Sequence, residues 1–306
     1  MTPQKTISPR AWAELILLSA IWGGSFLAIR TALDEITFVT SVAYRVAIAA
    51  AALWVVTLIR RAPLGITRRH LIGFLGMGVL NNVIPFTLMA WGQLHIESGL
   101  TSILNATAAI FGVLVAAIFM VDERLTPRKT IGVGIGFLGV ATAIGFGTLM
   151  QFDLRSLAQL AVVTGTLSYA LAGVCARHWL AGLSPLVAAA GMLSGASLVM
   201  IPAALVFDGV VVPQNPITWA AILFYALIAT AFAYMLYFRV LGMAGSGNLM
   251  LCTLMVPPVA ITLGAWIRAE TLAPNAYAGF AALALGLVIL DGRVMTRLRA
   301  RPRARS

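Results

Sequence analysis

The sequence predicts an all-α membrane protein of ten transmembrane helices, arranged as two inverted five-helix repeats. Three observations predict it. The chain is 60% apolar and only 10% charged, against roughly 25% charged residues in soluble domains. Its apolar residues fall into runs of about the 20 residues that a helix needs to span a bilayer. And a short segment near the end of the first half, ERLTP at Glu123 to Pro127, recurs as ETLAP at Glu270 to Pro274.

The spans, bounded by charge, Pro or Gly, lie near 11–29, 39–59, 71–93, 98–120 and 130–147, then near 157–176, 185–207, 217–239, 246–267 and 273–290. The first resembles a signal peptide, since Lys5 and Arg10 precede an apolar run. It continues through WGGSF to Ile29, which is spanning length and longer than a signal core, so it is expected to be a mature helix. The connections are short, and in lipid each helix must satisfy its own backbone.

Charge sets the orientation. With the N-terminus inside, 17 cations fall at cytoplasmic ends and loops; only Arg30, Arg155 and Arg268 fall outside, and Arg45 lies within a span. This is the positive-inside bias. The net charge of +11 therefore reads as membrane anchoring and argues against nucleic acid as a partner. The tail from 292 to 306, with six arginines, is expected to be a basic cytoplasmic anchor,. Both termini are expected in the cytoplasm, and the protein in the inner membrane.

The recurrence of ERLTP as ETLAP has an offset of 147, and Ser25 and Phe26 match Ser168 and Tyr169 at an offset of 143. Each half, 11–147 and 157–291, holds five spans. An odd number makes the second half enter the membrane from the opposite side, so the repeat is inverted. Inverted repeats are common in secondary transporters, whose sites lie at midplane between the halves.

WGGSF in the first span, YR in the second, ERLT after the fourth and the duplicated five-helix unit resemble the EamA family of the drug/metabolite transporter superfamily over roughly residues 11–291. The resemblance implies ten helices, cytoplasmic termini, and export or exchange of small metabolites such as amino acids, bases or cationic drugs. It also implies a cavity lined by helices one, three, four, six, eight and nine.

Polar residues inside spans are costly against lipid and so are candidates to face that cavity. Ser98, Thr101, Asn105 and Gly112 follow a helical face, and the offset of 147 matches Thr101 with Asn248 and Asn105 with Cys252,. Plain helix packing by small and polar residues is the rival reading. Asn81 and Asn82 precede Pro85; they face solute, or else repair the carbonyl that Pro85 frees. Trp22 and Ser25 share a stripe with Glu14, which is expected to be an interfacial, solvated carboxylate. Ser168, Tyr169 and Tyr234 complete the candidate cavity, whereas Tyr237 is placed in the inner aromatic belt.

Four residues are assigned to gating or structure. An unpaired Arg45 would cost about 2.5–3.5 kcal/mol at bilayer centre, so pairing with Asp34 or Glu35 is favoured over substrate contact. Pro85 and the adjacent Pro257 and Pro258 should bend or break their helices.

Other classes are disfavoured. GIGFLG at Gly134 to Gly139 fits a dinucleotide fingerprint but sits in an apolar helix with no preceding strand, so it reads as a packing face,. His70, His95 and His178 are scattered at span ends and form no metal or catalytic motif,. No cofactor or metal is expected, and no ATP-binding motif is present, which favours a gradient or exchange as the driving force. A non-transporting sensor or scaffold and an intramembrane enzyme are the rivals. The partners expected are a small-molecule substrate and the lipid bilayer, with a homodimer left open.

Overall fold

The computed structural model describes residues 8–120, 126–145, 154–244 and 251–291. They form α1 (Pro9–Ala32), α2 (Phe38–Ile59), α3 (Arg68–Gly92), α4 (Ser98–Phe119), α5 (Pro127–Ile144), α6 (Leu154–Trp179), α7 (Pro185–Phe207), α8 (Pro216–Ala244), α9 (Leu251–Arg268) and α10 (Pro274–Asp291), with no strand among the described residues. Seven helices, α1 to α4 and α6 to α8, are long and apolar enough to cross a membrane; α9 and α10 supply shorter apolar segments. Leu58, Ile72, Ile118, Leu198, Phe207 and Trp266 stand exposed on the outside of the bundle, an apolar surface suited to lipid rather than water.

Local chemistry starts these helices. Ser8, Thr126, Ser184 and Asn215 accept a backbone N–H of the first turn, and each precedes a proline, whose missing N–H needs no partner there,. Two helices change register in mid-course. Val79–Val83 of α3 and Phe224–Phe232 of α8 are π-helical, with backbone bonds reaching back five residues,. Pro85 lies just beyond the first and lacks the N–H that would serve Leu80 in that register. The Ser168 hydroxyl of α6 donates to the Leu80 carbonyl instead, at 2.6 Å. Repair of the proline therefore comes from Ser168 across the bundle, not from the Asn81 or Asn82 amides. α4 is also interrupted, at Ala106–Thr107, where the Thr107 and Thr166 hydroxyls meet at 2.6 Å.

The helices before residue 146 interlock with those after residue 153 in matched pairs. α1 packs on α8 and α9, while α6 packs on α3 and α4; α2 packs on α8, and α7 on α3. α2 also meets α7, and α5 meets α10. The last two pairs run antiparallel. Trp54 donates to Ser194 at 2.8 Å at one end of the α2–α7 contact, and Thr40 donates to Asp208 at 2.6 Å at the other. Along α5 and α10, Gly139 abuts Gly279 and Gly132 abuts Gly286. Gly132 and Gly279 are related by the same 147-residue offset, as are Gly139 and Gly286. The GIGFLG stretch thus divides: Gly136 and Gly139 pack against Ile110 and α10, whereas a Cβ at Gly134 would meet nothing.

Candidate functional site

A cavity of about 600 Å³ lies in the middle of the bundle, walled by α1, α2, α3, α4, α6, α7, α8 and α9. It extends from Arg45, Phe86 and Ile29 towards the α6–α7 turn, where Leu180, Leu183 and Pro185 line it. The bundle end holding that turn and the start of α1 is here the proximal end; the opposite one is distal.

The structure brings Trp22, Ser25, Asn81, Asn105, Tyr169 and Tyr234 together on the cavity wall. The Trp22 indole N–H donates to the Ala229 carbonyl in the π segment of α8 at 3.2 Å, which fixes the ring. The Ser25 hydroxyl donates to the Trp22 carbonyl at 2.7 Å. Asn81 donates to the Tyr234 hydroxyl at 3.0 Å, which in turn reaches the Asn82 Oδ1 at 3.3 Å. Asn105 Oδ1 is buried and has no hydrogen-bond partner among the described residues.

Other expected lining residues lie elsewhere. Thr101 is fully buried with its hydroxyl on the Glu97 carbonyl at 3.0 Å, and it is Ser102, one residue on, that lines the cavity. Asn82 is buried behind Asn81, and Ser168 is engaged with Leu80 as described. Asn248 lies outside the described residues. Pro85 is buried in α3 beside the lining ring of Phe86. α9 is helical from Leu251 to Arg268 through both Pro257 and Pro258, so the pair does not break it; their neighbour Val256 lines the cavity.

Three electrostatic expectations are corrected. Arg45 does not pair with Asp34 or Glu35. Its Nε–H donates to Thr230 Oγ1 at 3.0 Å, its guanidinium carbon sits 3.7 Å over the Phe86 ring, and it is the one charged side chain among the described lining residues. Glu14 is buried rather than solvated, because it is held between Arg10 at 3.3 Å and Arg239 of α8. Tyr237 belongs to the cavity wall instead of an aromatic belt, its ring 6.1 Å from that of Trp22.

Asp34, Glu35, Glu97, Asp208 and Glu270 lie at the distal end, where they join early helices to late ones. Asp34 receives Arg268 at 2.7 and 3.1 Å and Arg30 at 2.9 Å; Glu97 receives Arg155 at 2.9 and 3.2 Å. The Glu35 carboxylate accepts the backbone N–H groups of Gln214 and Asn215, and Ser98 donates to Glu270 at 2.9 Å. The hydrogen bond from Arg268, then the charges of Arg268 and Arg30, hold Asp34 below the usual carboxylate range against the opposite pull of burial.

Sequence reasoning missed Phe86, Thr230, Phe238 and Thr253 as lining residues. An apolar stretch carries no signal for a π segment, and the π segment of α8 is what presents Thr230 to Arg45.

An apolar helical bundle around a central, partly polar cavity defines a helical membrane protein. Sequence comparison makes this specific: residues 11–145 and 156–290 each match the EamA-like transporter family. The chain belongs to that family. It is 25% identical to an uncharacterized transporter, YoaV, of Bacillus subtilis over 83% of this chain and 87% of that one. It is 26% identical to a probable terminal-alkyne amino-acid exporter of Streptantibioticus cattleyicolor over 96% of this chain and 97% of the other. A crystal structure with 18% identity matches at a TM-score of 0.67, covering 94% of this chain and 98% of that chain, a likeness of fold.

Proposed function

We propose that the protein is a secondary transporter, working as an exporter, that carries a small amphipathic metabolite across the cytoplasmic membrane by alternating access. In this reading ten transmembrane helices form two inverted five-helix repeats with both termini in the cytoplasm. The antiparallel α2–α7 and α5–α10 pairs support the inversion: corresponding helices of two repeats run antiparallel only when the repeats enter from opposite sides. It is not an enzyme in this reading; its tyrosines, amides and single arginine bind and release solute unaltered.

The observation that carries the proposal is the asymmetry of access. The cavity reaches the proximal end, while the distal end is crossed by the Asp34–Arg268, Glu97–Arg155 and Ser98–Glu270 contacts. With the N-terminus inside, this is the state that loads from the cytoplasm. The relative that exports an amino acid supports an amphipathic cargo of similar size.

The test is counterflow in proteoliposomes across a panel of amino acids, bases, sugars and lipophilic cations. Wild-type protein should accelerate at least one of these. Asn105→Leu should reduce that flux about tenfold while leaving expression and monodispersity intact. Unchanged flux would remove Asn105 from the path, and no accelerated flux of any class would sink the transporter reading.

A further inference from the structure

The Arg45 environment is unlike that of any other described arginine with an ion pair. Arg10, Arg30, Arg155, Arg239 and Arg268 each face a carboxylate. Arg45 lies at the head of the cavity and faces none among the described residues.

The described acids are committed elsewhere. Asp34 is held by Arg268 and Arg30, Glu97 by Arg155, and Glu14 by Arg239 and Arg10. Glu35 caps backbone N–H groups ahead of α8, Asp208 takes the Thr37 and Thr40 hydroxyls, and Glu270 takes Ser98. What touches Arg45 is neutral. Thr230 passes its own proton to the Tyr225 carbonyl at 2.7 Å, and so offers Nε a lone pair and no charge. The face of Phe86 stabilises a cation weakly compared with a carboxylate,.

Arg45 is half-buried, and a guanidinium that has lost part of its hydration is stabilised by an anion or by further acceptors. Thr230 and Phe86 orient the group yet satisfy only one of its five N–H donors. The two terminal nitrogens make no hydrogen bond to the described residues, so the fork that matches a planar carboxylate in bidentate fashion is left unused. Apart from Ser25, Asn81, Ser102, Asn105 and Thr253, the rest of the wall is apolar or aromatic, with Trp22, Tyr169 and Phe238 available to an uncharged body. Asn105 lines the wall as well, its Oδ1 buried and without a hydrogen-bond partner among the described residues.

From this geometry we infer that Arg45 is the carboxylate anchor of the cavity, and that the cargo is a small amphipathic carboxylate rather than a lipophilic cation. The inference rests on the cavity being the solute site of the proposed transporter, and it narrows the cargo within that reading. The cargo supplies the counter-charge that the protein withholds. Thr230 is a positioning residue: it fixes the guanidinium plane through Nε and leaves both terminal nitrogens to the ligand.

Four matched probes test it on the full-length purified protein at pH 7: 3-phenylpropionate, L-phenylalanine, 3-phenylpropanamide and 3-phenylpropylamine. Thermal shift titrations should show both carboxylates binding, with 3-phenylpropionate at least tenfold tighter than the amine. Arg45→Gln should weaken both carboxylates at least tenfold and leave the amide unchanged, and Arg45→Lys should lose less because the charge remains. Elution profile and ligand-free melting report whether each variant folds. If Arg45→Gln does not fold, Thr230→Val keeps the charge and should weaken the carboxylates a few-fold, again without affecting the amide. The inference is overturned if the amine binds as tightly as the carboxylates, if no probe binds, or if a folded Arg45 variant keeps full carboxylate affinity. Counterflow of the same probes separates the two readings. Arg45-dependent binding without flux keeps the anchor and rejects transport; flux of amide or amine that ignores Arg45 keeps transport and rejects the anchor.

Discussion

The α5–α10 contact and the cavity wall both place glycine in a helix and put it to opposite uses. In the first, glycines remove side chains so that two backbones close on each other: a Cβ at Gly139 would lie 2.4 Å from the Leu283 nitrogen, and one at Gly279 would lie 2.3 Å from the Ala143 nitrogen. In the second, Gly173 also lacks a side chain, yet a Cβ there would meet nothing within 4 Å, because the space in front of it is the cavity. A small residue in a membrane helix therefore marks either close approach or deliberate emptiness. The neighbour across the gap, not the residue, decides which.

The largest effect should come from closing the wrong one. Gly139→Val places new carbon against main chain that cannot move aside, and overpacking of this kind costs about 3 kcal/mol. The yield of monodisperse protein should collapse and its melting temperature fall. Gly134→Val, five residues away with nothing facing it, should express and melt like wild type. Equal behaviour of the two would mean that the antiparallel α5–α10 contact is not what holds the segments together.

Much of this contrast was legible in the sequence, and part was not. Gly139 belongs to the GIGFLG stretch that reads as a packing face in an apolar helix, but nothing in that stretch separates Gly139 from Gly134. The cavity was harder. Trp22, Asn81, Asn105 and Tyr234 stand out because polar or indole groups in mid-span are unusual. In the regular segment Ser98–Asn105, however, both Thr101 and Ser102 neighbour Asn105, four and three residues back, and it is Ser102 that lines the cavity,. The π segments shift every later side chain and leave no pattern in an apolar stretch, which is why Thr230 and Ser168 went unrecognised as partners of Arg45 and Leu80. Pairings such as Glu14–Arg239 bridge chain positions too distant for any local signal.

Filling the hollow should cost transport and spare the fold. Gly173→Leu adds side chain to open space in α6, so melting should match wild type while counterflow falls about tenfold, with larger cargo suffering more. Lost stability there would show that the cavity closes further than its walls indicate. Unchanged flux would take Gly173 off the solute path.

Smaller effects belong to the distal end. Glu97→Gln leaves Arg155 without its bidentate partner. Both side chains are partly exposed, and such pairs contribute about 0.2–1 kcal/mol. The conformational balance should therefore move no more than about fivefold towards distal opening. A cysteine at Ser102, in a background lacking Cys175 and Cys252, reports this as faster labelling by an impermeant maleimide from the distal side. A rate that does not change would relieve this pair of any part in closure.

The finest distinction is in pH. Asp34 is held below its ordinary value of 3.8 by the Arg268 hydrogen bond and the nearby arginine charges; Glu35 is likewise lowered, first by the Thr218 side chain and then by the Gln214 N–H. A carboxyl whose folded value is depressed contributes fully above its unfolded value, and loses that contribution as pH falls through the lower folded one. Distal closure should therefore not respond to these two acids between pH 7 and 5, and should loosen only below about pH 4. Spin labels at Leu94 and Val210, both exposed, should keep one separation down to pH 5 and widen only below about pH 4. Asp34→Asn should show part of the widening already at pH 7 and a smaller acid step. A wild-type transition centred near pH 6 would instead assign closure to a group other than these carboxylates, and would detach the sealed end from the charges that now cross it.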